Sequence, residues 1–188
     1  ATDVAGNTSA ASSTLSVTID TVAPVSPTIA SYSTDSNVVG DGITNDNTLT
    51  LTGTAEANAT VKVFDGVTLL GSVTANGAGA WSFTTAALAN GGHSLSATAT
   101  DVAGNTSAAS SVLSVTIDTV APVAPTIASY STDSNVVGDG ITNDNTLTLT
   151  GTAEANATVK VFDGVTLLGS VTANGAGAWG FTTAALGN

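Results

Sequence analysis

Short runs of alternating apolar and polar residues follow one another along the chain, with turn-forming Gly, Asn and Asp between them. Alternation with a period of two is typical of β-strands that bury one face. The pattern predicts strands at 25–29, 49–52, 61–63, 67–74, 81–83, 95–100 and 113–117. Seven strands within about a hundred residues predict an all-β immunoglobulin-like sandwich.

The aromatic residues fit the core of such a sandwich. Trp81 and Phe83 share one strand face, as do Trp179 and Phe181, so we expect both tryptophans to be buried. The chain has no cysteine, so the Cys–Trp–Cys pattern of antibody domains is absent and the fold prediction rests on alternation alone.

The chain is a tandem repeat. Residues 1–90 align without a gap with residues 99–188, and only four pairs differ: Thr14/Val112, Ser26/Ala124, Ser82/Gly180 and Ala89/Gly187. We predict a complete repeat at 21–119, the C-terminal end of a preceding repeat at 1–20, and a partial repeat lacking its last two strands at 120–188. All four prolines lie where one repeat passes into the next, which is typical of a stiff linker and a first edge strand: Pro24, Pro27, Pro122 and Pro125.

The net charge of the chain excludes one class of partner. With 14 acidic and 2 basic residues the formal net charge is −12, so a nucleic-acid partner is excluded because phosphates would have no basic patch to bind. No apolar stretch approaches the ~18 residues of a membrane-spanning helix, and we expect no membrane insertion. Near-identical tandem copies serve length or scaffolding better than catalysis.

Each period of the repeat holds seven acidic residues, and all fall in predicted loops, turns or strand ends: Asp20, Asp35, Asp41, Asp46, Glu56, Asp65 and Asp101. If the first strand starts at the top of the sandwich, the turn with Glu56 and the loop with Asp101 lie at the top pole, beside the incoming linker with Asp20. The loop after the first strand lies at the bottom pole. Consecutive repeats would therefore bring two acidic poles together.

Crowded carboxylates with few basic partners favour a divalent cation. Ca²⁺ takes ~6–8 oxygen ligands from carboxylates, Asn side chains and backbone carbonyls in flexible loops. We predict calcium at the top pole, bound by Asp20, Glu56, Asp101 and Asn105, with Asp118 as the equivalent of Asp20 at the next linker. The alternative is that these residues only form solvated turns. For the loop after the first strand the two interpretations are evenly balanced; its acids are Asp35, Asp41 and Asp46, repeated as Asp133, Asp139 and Asp144.

Two other residues are interpreted structurally. Asp65-Gly66 is a typical hairpin turn. His93, the only histidine, has no Ser-His-Asp partners in the predicted layout and is interpreted as a surface residue.

Four segments carry a family resemblance: IDTVAP, DGITNDNTLTLTGTAEANATVKVFDG, GAWSFTT and ATDVAGNTSAAS. They resemble the bacterial immunoglobulin-like repeats of giant type-I-secreted and biofilm-associated surface adhesins, over essentially the whole chain. The resemblance implies an extracellular extender arm at the bacterial cell surface, stiffened by calcium at its junctions. By motif, the implied ligands are Asp20/Asp118, Glu56/Glu154 and Asp3/Asp101.

We weigh three functions for the chain. The first is a structural extender without catalysis, whose partners are neighbouring repeats of the same protein. Self-association through the incomplete terminal repeat is a further expectation. The alternative is a module that itself grips a glycan or surface ligand, which exposed aromatics on loops would favour. An enzyme is disfavoured because the sequence shows no nucleophile–base or metal–water set.

Overall fold

The computed structural model describes residues 1–134 and 136–187, and in these ranges every regular element is a β-strand. The chain divides into two compact units, residues 1–119 and 120–188. Across the described residues, no helix has the length and apolar composition needed to span a bilayer. The predicted all-β immunoglobulin-like class is therefore confirmed.

The first unit has two sheets. One has the order β1-β3-β6 and the other β2-β8-β7-β4-β5. All neighbours are antiparallel except β2 and β8, which run parallel. The strands are β1 (Thr28–Ser33), β2 (Ile43–Thr44), β3 (Thr50–Thr54), β4 (Thr60–Asp65), β5 (Thr68–Thr74), β6 (Ala80–Thr84), β7 (Gly91–Thr100) and β8 (Leu113–Ile117).

The core of this unit lies between the two sheets. Alternating residues of each strand face it, so the sequence pattern translates directly into burial. The largest fully buried side chains include Leu49 and Leu51 from one side and Val61, Val63 and Leu95 from the other. Burial of such apolar side chains is the main driving force for the sandwich.

Two glycines make room for aromatic rings in this core. A Cβ on Gly53 would lie 1.9 Å from the Thr28 carbonyl oxygen and 2.7 Å from Trp81 Cζ2, and one on Gly71 would lie 2.7 Å from the Phe83 ring. Trp81 is accordingly 4% exposed. The predicted burial of this tryptophan is confirmed.

The second unit repeats part of this arrangement. Its strands form a sheet of order β13-β10-β9 and a hairpin, β11-β12, around a smaller core that includes Val159, Val161 and Trp179. Trp179 is 5% exposed, as predicted. The strands are β9 (Thr126–Ser131), β10 (Thr148–Thr152), β11 (Thr158–Asp163), β12 (Thr166–Thr172) and β13 (Ala178–Thr182).

Two strand predictions need correction. The first strand begins at Thr28 rather than Val25, because Pro24 and Pro27 have no N–H to donate to a neighbouring strand. The segment between the first and third strands is more than a loop, since it contains β2, whose two residues pair with Thr116 and Ile117 of β8. Two residues are too short for an alternation pattern to show.

Candidate functional site

The loop that follows β7 is closed by a single aspartate–asparagine pair. Asp101 Oδ1 accepts a hydrogen bond of 2.8 Å from the Asn105 backbone N–H, and Oδ2 accepts one of 2.8 Å from Asn105 Nδ2. Gly104, between them, has a φ of +96°, a left-handed conformation that glycine adopts without strain. Asp101 is 8% exposed, and its carboxylate is thus held by donors from its own loop.

The same five-residue sequence builds the same loop at residues 3–7. Asn7 donates its backbone N–H to Asp3 Oδ1 and its side-chain Nδ2 to Oδ2, both over 2.9 Å. The hydrogen bond from the asparagine side chain is the main cause that lowers the pKa of Asp3 and of Asp101 below its usual value. The loop geometry therefore follows from the local sequence.

Asn105 also fixes the incoming linker. Its Nδ2 lies 3.2 Å from the backbone carbonyl oxygen of Asp20, so one amide group joins the linker to the loop after β7. The Asp20 carboxylate is used differently, because Oδ1 accepts a 3.0 Å hydrogen bond from the Val22 N–H and turns the linker locally. The structure therefore brings Asp101, Asn105 and the backbone of Asp20 together, with Asn105 as the link between them.

The outgoing linker is held at the opposite pole. Asn90 Oδ1 accepts hydrogen bonds from Thr119 N (3.1 Å) and Thr119 Oγ1 (2.9 Å). The N–H of Asp118 donates to the Thr44 carbonyl oxygen over 2.9 Å. Since β7 runs from Gly91 at this pole to Thr100 at the other, each linker is fastened by an asparagine at its own end of the unit.

Glu56 lies at the same pole as Asp101. It occupies the turn between β3 and β4, and the first residue of β4, Thr60, pairs with Thr100 of β7. Its side chain is exposed, beside a shallow groove lined by Val25, Ser26, Thr28, Thr54 and Ala55. Within the described residues, Glu56 makes no hydrogen bond to Asp20, Asp101 or Asn105.

These positions do not by themselves form a metal cage. In the described part of the chain no three His, Cys, Asp or Glu residues are grouped closely enough to hold an ion. At the top pole the Asn105 amide presents its nitrogen to the Asp20 and Asp101 oxygens, which joins them without a cation. The calcium site stays a prediction. Asp118 and its predicted partner Glu154 belong to different units.

The acids of the segment between β1 and β3 form local turns. Asp41 Oδ1 accepts from the Ile43 N–H (2.9 Å), and Asp46 Oδ1 accepts from Thr48 N (2.9 Å) and Thr48 Oγ1 (3.0 Å). Asp35 Oδ2 accepts from the Gly40 N–H. Equivalent bonds recur in the second unit for Asp133, Asp139 and Asp144.

A half-buried tyrosine lies beside one of these acids. Burial, followed by the Asp35 carboxylate, raises the pKa of Tyr32 to about 12. The Tyr32 hydroxyl and Asp35 Oδ1 are both buried and neither has a well-formed hydrogen bond, and Tyr130 and Asp133 repeat the arrangement. No pattern in the sequence predicts this pair.

His93 is the residue that the sequence misplaced. Its side chain is 12% exposed and its Nδ1 lies 2.7 Å from Asp65 Oδ2, so it is not a free surface residue. Asp65 ends β4 and begins the predicted hairpin, whose turn is Gly66-Val67. The pair depends on the register of the antiparallel neighbours β4 and β7, in which Asp65 lies opposite Leu95 and His93 lies diagonally across.

Comparison with known proteins gives a family. A family model for the bacterial Ig-like domain matches residues 23–119 and 121–188. None of the curated proteins compared with the chain matches it.

Two solved structures are similar to the chain. One is a 1.5-MDa bacterial ice-binding adhesin studied for its retention at the host cell surface; identity is 20%, TM-score 0.37, with 86% of this chain and 54% of that one covered. The other is the BSP domain of a biofilm-associated protein; identity is 24%, TM-score 0.30, with 76% and 23% covered. The chain thus spans about half or less of each.

Proposed function

Since the chain belongs to the bacterial Ig-like domain family, we propose that it is a structural spacer, a run of repeats that separates other parts of a bacterial surface adhesin. The observation that carries the proposal is the fastening of the linkers. Asn105 holds the incoming linker at one pole of the first unit, and Asn90 holds the outgoing linker at the other. When both linkers of a module are held in place, the direction in which one module points limits the direction of the next.

The strand lengths support the same function. β7 has ten residues, and at ~3.3 Å per residue it extends for about 33 Å from one linker pole to the other. Because the linkers enter and leave at opposite poles, repeated modules add length instead of bulk. Exposed strand positions carry mostly Ser and Thr, and acids lie at the ends, which keeps a long array soluble.

The composition suits an extracellular array at the bacterial cell surface. With no cysteine and no methionine, the chain has no side chain on the common sulfur oxidation pathways. Its sandwich folds on apolar burial and hydrogen bonds, without disulfides. The adhesin and the biofilm-associated protein named above are two of the solved structures that it resembles.

Calcium at the junction is the finer part of the proposal. It is supported by the net charge of −12 and by the meeting of Asp20, Asp101 and Asn105 at the top pole. Calcium requires oxygen ligands, so the Asn105 amide would have to present its oxygen in place of its nitrogen. Asp20, Asp101, Asn105 and Glu56 are the residues that would bind the ion, and its charge would relieve carboxylate repulsion between modules.

The spacer function is tested by small-angle X-ray scattering of the full chain and of Asn90→Ala. Loss of the two bonds to Thr119 should broaden the distance distribution and lower the apparent stiffness between units, without loss of sheet content by circular dichroism. Asn47→Ala is the control, since the Asn47 side chain makes no hydrogen bond within the described residues. Identical scattering from wild type and Asn90→Ala would contradict the proposal.

A further inference from the structure

Both ring nitrogens of His93 face hydrogen-bond acceptors. Nδ1 lies 2.7 Å from Asp65 Oδ2, and Nε2 lies 2.9 Å from the Ala89 carbonyl oxygen. Neither an ionised carboxylate nor a carbonyl oxygen can donate a proton. A neutral imidazole has one N–H and satisfies one of these contacts, so only the doubly protonated imidazolium satisfies both.

The surroundings of His93 favour that charge. His93 has neighbours on three sides: Asp65 on β4, Val115 on β8 and Ala89 in the β6–β7 loop. The other carboxylate oxygen of Asp65 accepts a hydrogen bond of 2.8 Å from the Ser94 N–H. Asp65 is the one charged group among these. The hydrogen bond to Ala89 and then that to Asp65 raise the pKa of His93 against the opposing effect of burial.

The residue after Ala89 is the one that holds the outgoing linker. Asn90 Oδ1 accepts both hydrogen bonds from Thr119. The β6–β7 loop is therefore tied on one side to His93, and through it to the end of β4, and on the other side to the linker. A change in the His93–Ala89 contact acts one residue from the linker attachment.

We propose that His93 is a pH-operated lock on the outgoing linker. The imidazolium ties the β6–β7 loop to Asp65, and loss of one proton releases one of the two contacts and loosens the loop that holds Thr119. This proposal rests on the proposed spacer function and adds to it a dependence of junction stiffness on pH.

The direction of the pH effect follows from linkage. A histidine whose pKa is higher in the folded state stabilises the fold fully below its unfolded value, near 6.5, and this contribution disappears as pH rises through the folded value. The linker attachment is therefore tightest in mildly acidic solution and looser in alkaline solution. Asp65 limits this at the acid end, where its carboxylate becomes protonated.

The first test is an NMR titration of the ring nitrogens in the full chain, where His93 is the sole histidine. We expect both nitrogens to be protonated below the titration midpoint, and that midpoint to lie above about 6.5. Asp65→Asn should lower that pKa. A pKa at or below the ordinary value would overturn the lock, whether or not the chain is a spacer.

The second test is amide hydrogen exchange at Thr119, corrected for intrinsic rates. Protection should fall as pH rises through the His93 pKa, by about tenfold for each unit by which folding raises that pKa. His93→Gln should remove the pH dependence; if it does not fold, the wild-type series alone decides. Constant protection at Thr119 would refute the lock, whereas the spacer function is decided separately by scattering.

Discussion

Asn105 donates a 3.2 Å hydrogen bond from its side-chain amide to the backbone carbonyl oxygen of Asp20, a residue 85 positions earlier in the chain. The same nitrogen lies 2.8 Å from Asp101 Oδ2. One side chain therefore closes its own loop and fastens the linker that enters the module.

Replacing Asn105 by Ala should loosen the incoming linker. Loss of its side-chain hydrogen bonds should lower the free energy of unfolding of the first unit by about 1 kcal/mol. Asn7→Ala is the matched control, since Asn7 closes the same loop without a linker contact, and its effect should stay within about 0.5 kcal/mol. Urea denaturation measures both; equal losses would show that the linker contact contributes nothing.

Acid should destabilise the module through Asp101. Hydrogen bonding by Asn105 lowers the pKa of this carboxyl group, so its stabilising contribution is present above about pH 3.8 and is lost as pH falls through the folded-state value. Asp101→Asn should flatten this acid limb of the stability curve. Denaturant unfolding between about pH 5 and pH 2 measures it, and a limb unchanged in the variant would contradict the assignment.

Calcium should stabilise the chain, and magnesium much less, because Mg²⁺ demands a small octahedral shell and dehydrates reluctantly. At about 100 times the dissociation constant, one site adds roughly 2.7 kcal/mol. Thermal unfolding with calcium, magnesium or chelator is the measurement, and Asp101→Asn should reduce the calcium effect. A melting temperature that chelator does not change would contradict the proposed calcium site.

Gly53→Ala should be strongly destabilising. The new methyl group would lie 1.9 Å from the Thr28 carbonyl oxygen and 2.7 Å from the Trp81 ring, so β1 and the indole must both move, at a cost of about 3 kcal/mol or more. Gly77→Ala is the control, because nothing lies within 4 Å of its Cβ position. Denaturation followed by circular dichroism compares them, and equal stability would contradict the packing described.

The sequence LSVTI occurs twice, and the two copies show how much of the fold the alternation of apolar and polar residues can predict. At residues 113–117 it forms β8, with Val115 2% and Ile117 1% exposed, whereas at 15–19 it forms no strand and Val17 and Ile19 are 71% and 85% exposed. Alternation specifies which face of a strand is apolar. A strand forms only where a neighbouring strand pairs with it, as β7 does with β8.

The candidate site was only partly predictable for a related reason. The sequence predicts Asp20, Asp101 and Asn105 as calcium ligands because carboxylates and amides in turns are typical of such sites. The contact found uses the backbone carbonyl of Asp20, and side-chain-to-backbone contacts between distant segments leave no pattern in the sequence. The His93–Asp65 pair depends likewise on the register of β4 against β7.

The parallel pairing of β2 with β8 has a consequence under tension. The Thr116 N–H donates to the Gly42 carbonyl oxygen over 2.8 Å, and that of Asp118 to Thr44 over 2.9 Å. A pull applied through the two linkers runs along these strands, so the bonds are loaded in shear and must break together instead of unzipping singly. The force that a module withstands is then governed by the rate of this single rupture rather than by its equilibrium stability.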